Sequence, residues 1–123
     1  YAYPFSSLLK KNTHLIFGSD VPVEKFNSFS NIYAATNRKY LNKREEKSWH
    51  IEECINIEEA IKAYTSEPAM ASGDEKKGSL SPGKLADLIV LDRDIFTCKD
   101  ILNTSVHMTV VAGNIVYEHN RDV

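Results

Sequence analysis

Among the 123 residues of this chain, Asp20 is the one best placed to do chemistry. It stands two residues after Gly18, which closes the apolar run Thr13-His14-Leu15-Ile16-Phe17. Side chains at the C-terminal ends of strands carry catalysis in α/β folds, and above all in β/α barrels. A carboxylate there can ligate a divalent metal or accept a proton from metal-bound water. A carboxylate at such a place also caps turns, and spacing alone leaves both readings open.

The remaining reactive residue types add little to Asp20. His14, His50, His107 and His119 form neither H-x-H nor H-E-x-x-H, so no ligand spacing joins them. His14 is expected to point into the packing of its strand, His107 to sit at a strand edge, and His119 in an exposed tail. His50 beside Trp49 reads as loop packing. Cys54 follows Glu52 and Glu53, which should raise its thiol pKa and disfavour a nucleophile. Gly78 to Lys84 meets the spacing of a phosphate loop. Leu85 stands where Ser or Thr is required, however, and a strand is expected next rather than a helix, so the loop is rejected.

The elements that must position Asp20 follow from periodicity and punctuation. Phe5, Leu8 and Leu9 after Pro4 mark a short helix ending near Lys11–Asn12. Thr13 to Gly18 reads as a strand buried on both faces. Ser19 to Pro22 is the loop that leaves it, and Gly18 should permit a tight turn there. Asn27 to Lys39 has helical spacing at Phe29, Ile32, Tyr33 and Thr36, capped by Asn27 or Ser28. A second helix is expected from about Asn56 to Ser72, with Asn56 as cap and Pro68 kinking or dividing it. Gly73 to Gly78 is a turn-rich boundary. Beyond it come a strand at Leu85–Asp92 and a hairpin of Val106–Ala112 with Ile115–Glu118. Gly113-Asn114 should form its type II′ turn. A lone set of three strands leaves a face uncovered, so the order fits the end of something larger.

Composition sets the outer limits. With 15 basic and 17 acidic residues the net charge is −2, and 42% of residues are hydrophobic against 26% charged. That is an ordinary globular balance, not a disordered one. It argues against nucleic acid and membrane surfaces as partners, because both call for clustered positive charge. No apolar run is long enough to span a bilayer. The chain opens on Tyr1 rather than Met, which reads as a fragment or processed product. Cys54 and Cys98 lie outside C-x-x-C spacing and are expected to be reduced, which places the chain in the cytoplasm.

Three segments resemble the metal-dependent amidohydrolase superfamily, in its amidohydrolase-3 or N-substituted formamide deformylase-like branch. Leu15-Ile16-Phe17-Gly18-Ser19-Asp20-Val21-Pro22-Val23 is similar to its Gly-Ser-Asp-x-Pro-Val segment. Ile57-Glu58-Glu59-Ala60-Ile61-Lys62-Ala63-Tyr64-Thr65 is similar to the helix that follows. Gly78-Ser79-Leu80-Ser81-Pro82-Gly83-Lys84-Leu85-Ala86-Asp87 through Asp92 is similar to its segment near the C-terminus, and is the most specific of the three.

The resemblance implies an α/β fold: the C-terminal end of a (β/α)8 metal-dependent hydrolase barrel plus the C-terminal strands of its small β-sandwich. Residues 1–74 would be the barrel portion, with the last strand and following helices, and residues 75–123 the sandwich portion. It implies a divalent metal, zinc by preference, held in part by Asp20, which also shuttles the proton of the attacking water. The bond cut would be a carbon–nitrogen bond of non-peptide amide type in a small-molecule substrate. The superfamily's H-x-H pair lies on earlier strands, which would precede Tyr1, and none of the four histidines matches it. The isolated chain is therefore expected to be inactive, to need the N-terminal part of the same protein, and to form a homo-oligomer if it folds alone. The alternative is a non-catalytic structural or interaction domain that keeps the fold signature.

Overall fold

The computed structural model describes residues 2–119. Four short helices come first: α1 (Phe5–Leu9), α2 (Ser28–Asn37), α3 (Ile57–Tyr64) and α4 (Ser66–Ala71). An antiparallel sheet follows, with β1 (Leu88–Leu91), β2 (Val106–Val111) and β3 (Asn114–Glu118) in the order β1-β2-β3. Single 3-10 turns lie at Ile51–Glu53 and Ile101–Asn103. No helix among the described residues is long and apolar enough to cross a membrane.

The helices end where the side chains dictate. The Asn27 carboxamide accepts from the Phe29 N–H at 3.0 Å, so Asn27 rather than Ser28 caps α2. Asn56 and Glu59 form a reciprocal capping box at the start of α3, at 2.8 Å each way. The single long helix expected here is two, because Thr65 leaves helical geometry at φ −126°, ψ −82°. Pro68 then falls in the first turn of α4, where its missing N–H has no helical acceptor to lose.

The core lies among the helices. Leu15, Phe29, Ile32, Tyr33, Ala35, Ile55, Ala60, Ala63 and Ile101 are buried together. The sheet contributes only the edges of Leu91 and Val106 to this cluster. Of its other apolar side chains, Ile89, Val90, Val111, Ile115 and Val116 are exposed, while Leu88, Met108 and Val110 are half-buried.

Several expectations change. Thr13–Gly18 pairs with no strand among the described residues. Leu15 is buried, whereas His14 and Ile16 face solvent, so one side of the segment is covered rather than both. His14 is not in the packing, and His107 lies on β2, the central strand, rather than at an edge. The first strand of the sheet is narrower than Leu85–Asp92. The hairpin turns on Ala112-Gly113, with φ of 50° and 80°, because Val111 pairs with Asn114. Two central residues with positive φ make the type I′ turn that matches strand twist, not type II′.

Candidate functional site

Asp20 is reached through a segment held to the helices by single contacts rather than by a ladder. The Phe17 N–H donates to the Ala63 carbonyl of α3 at 2.9 Å. The Phe17 ring sits 5.1 Å from that of Phe5 and 5.7 Å from that of Tyr64, the latter edge-on. Leu15 enters the core beside them. Upstream, His14 Nδ1 lies 2.5 Å from the Glu67 carboxylate of α4. The segment thus crosses three helices before it delivers Asp20.

The turn is made by Asp20 itself. Asp20 adopts φ of 51°, and its carbonyl accepts from the Val23 N–H at 2.8 Å. Asp is among the few non-glycine residues that tolerate the left-handed region. Gly18 does not supply the bend: it has no left-handed φ, and a Cβ there would meet nothing within 4 Å. The turn reading of Asp20 is therefore correct for its backbone, while the residue stays exposed to solvent. The two roles are compatible, because one uses the carbonyl and the other the side chain.

The other residues singled out in the sequence do not join it. His50 Nδ1 lies 2.7 Å from Glu52, whose carboxyl is held below its usual range chiefly by that bond. The His50 and Trp49 rings meet edge-on at 4.6 Å, as loop packing. The His107 carbonyl accepts from the exposed His119 N–H at 2.8 Å, a ladder contact rather than a ligand. Cys54 and Cys98 are both free. The Cys54 thiol is pushed up as expected, but burial is the main cause and Glu52 a lesser one. After Gly78–Lys84 the next element is a strand, not a helix.

A metal centre needs about three protein ligands. Among the described residues no group of three or more His, Cys, Asp or Glu side chains could hold one. The donor set offered here is a single exposed carboxylate, which does not by itself fit a metal.

Two charged residues that sequence reasoning missed brace the frame. Buried Arg38 ends α2 in the left-handed region. It donates to the carbonyls of Trp49 at 2.8 Å, Tyr3 at 2.8 Å and Ala2 at 3.2 Å. Its guanidinium also lies 4.6 Å from the Trp49 ring centre. Glu53, equally buried, accepts from the Ser7 N–H at 2.9 Å and from the Ser7 hydroxyl. The only sequence signal was a charged residue beside each apolar stretch.

The Amidohydrolase family model matches residues 1–117. This chain belongs to that family. Among curated relatives, this amidohydrolase chain is 37% identical over 94% of its length to Protein LONG AFTER FAR-RED 3 of Arabidopsis thaliana. It is 32% identical over 95% to the putative amidohydrolase YtcJ of Bacillus subtilis. It is 30% identical over 94% to the N-substituted formamide deformylase of Arthrobacter pascens. The last two bear out the amidohydrolase-3 branch. These matches cover 20%, 23% and 21% of the relatives, so the chain spans about a fifth of their length. No solved structure matched.

Proposed function

We propose that this chain is the C-terminal part of a hydrolase that cuts carbon–nitrogen bonds of non-peptide amide type in a small molecule. Residues 1–74 would close a (β/α)8 barrel, and residues 75–123 would supply strands to a small β-sandwich. The observation that carries the reading is Asp20, exposed on a turn that its own left-handed backbone makes. Family membership and the names of the two bacterial relatives support the reaction class.

In this reading Asp20 accepts the proton of the attacking water and returns it to the leaving nitrogen. A divalent metal, zinc by preference, would be held by Asp20 as one donor together with ligands from the N-terminal part of the same protein, and would activate that water for attack. The setting is cytoplasmic.

Asp20→Asn in the longer protein tests the reading. The expected fall in kcat is about 10²–10⁴-fold, the usual contribution of a positioned acid–base group. Asn also tolerates a left-handed φ, so the turn should survive the change. Undiminished turnover would contradict the assignment and favour the non-catalytic alternative. That alternative draws on one observation: the relative at 37% identity carries a name that specifies no reaction.

A further inference from the structure

We propose that Tyr64, the last residue of α3, is a positioning residue that holds Asp20 in place by fastening both ends of the loop that carries it. This rests on Asp20 being the site residue. The loop spans residues 18–27, between the segment that delivers it and helix α2. On the upstream side the Tyr64 ring meets the Phe17 ring edge-on at 5.7 Å. Beside it, the Phe17 N–H donates to the Ala63 carbonyl at 2.9 Å. On the downstream side the Tyr64 hydroxyl oxygen accepts from the Asn31 carboxamide of α2 at 2.9 Å, a half-buried bond. The last loop residue, Asn27, is bound to that same helix as its cap.

Three features take this arrangement beyond core packing. Ile57, Ile61 and Tyr64 pack against the core together, and for that purpose a plain ring would serve. The hydroxyl is used on Asn31 instead. Second, α3 stops at Tyr64 because Thr65 leaves helical geometry. The last carbonyls of a helix have no partner within it. A helix continuing past Thr65 would give the Ala63 carbonyl to the Glu67 N–H; the break leaves it to Phe17. Third, one backbone hydrogen bond is described within residues 18–26, from the Val23 N–H to the Asp20 carbonyl. Local bonding therefore shapes the turn but does not place it. A Tyr side chain has few rotatable bonds, so gripping it at both ring and hydroxyl sets the spacing between the loop's ends. Placement of this kind matters to catalysis, since a shift of about 1 Å caused by a remote change can cost about 10²-fold in rate.

The test uses the longer protein. Tyr64→Phe keeps the ring and removes the hydroxyl, and Asn31→Leu removes the same bond from the other side. Asn31→Asp keeps a bond, with the Tyr64 hydroxyl now donating. Amide hydrogen exchange in residues 18–27 should quicken about tenfold in the first two variants and not in the third, while α3 keeps its wild-type rates. The kcat for N-ethylacetamide should fall about tenfold or more in the same two, with KM unchanged, and Asn31→Asp should retain it. Tyr64→Phe combined with Asn31→Leu should do no more harm than either alone, because both remove one bond. Exchange that quickens throughout α3, or nowhere, overturns the proposal, and so does a full kcat in Tyr64→Phe. Asp20→Asn tells the two readings apart. Turnover kept in both Asp20→Asn and Tyr64→Phe faults the Asp20 assignment, whereas turnover lost only in Asp20→Asn faults Tyr64 alone.

Discussion

Glu53 caps a helix 46 residues away. Helix α1 begins at Pro4 with no side-chain cap of its own, and the Glu53 carboxylate takes the Ser7 N–H and hydroxyl instead. Those bonds hold the carboxyl below its usual value of 4.5, with the Ser7 hydroxyl the largest cause. A depressed carboxyl stabilises the fold above the unfolded value, and that support is lost as pH falls through the folded value. Wild type should therefore be more stable than Glu53→Gln at pH 7, with the difference shrinking as pH drops below the unfolded value of 4.5. Urea midpoints for both proteins across that range check it, and a constant difference would remove the ionised cap from the account. Asp20, by contrast, was singled out as a candidate from its neighbours, an apolar run and then Gly-Ser-Asp, and the turn there was among the readings they allowed. Glu53 and Arg38 were not, because their partners lie far along the chain.

The elements were read well where local chemistry decides them. Asn27 and Asn56 cap the helices they precede. Pro68 marked a division, although Thr65 makes the break. Thr13–Gly18 pairs with no strand among the described residues, and a run of strand formers carries no information about whether a partner strand is at hand. The hairpin turn moved by one residue because register depends on which pair closes the ladder, Val111 with Asn114. Gly78 is an element-scale constraint that spacing alone could not show. A Cβ there would lie 2.7 Å from Ala69 Cβ and 3.0 Å from Ser66 Cα, at φ +82°. Gly83 has φ +89° and no such neighbours. Gly78→Ala should cost more than the roughly 1–3 kcal/mol of backbone strain that Gly83→Ala incurs. Thermal unfolding of the two variants decides it, and equal losses would mean α4 gives way without cost.

At the scale of the whole molecule, the helical core is formed and the sheet is uncovered. Ile89, Val90, Val111, Ile115 and Val116 stay exposed on three strands that would need cover to be stable. The chain expressed alone is therefore expected to self-associate. Light scattering over a concentration series should show mass rising above 13.9 kDa; a strict monomer that binds no hydrophobic dye would contradict that. The need for cover was legible in the sequence as three strands without enough partners. Which surface provides it was not, since no local pattern encodes a partner outside the chain.

The central claim is that this chain closes a hydrolase whose other metal ligands lie upstream. The most direct measurement is to read the gene on the 5′ side of the Tyr1 codon. An in-frame extension of several hundred codons, with His-x-His after an early strand, is the result the account predicts. A start codon immediately before Tyr1 would contradict it, leaving Asp20 as a turn residue of a non-catalytic domain.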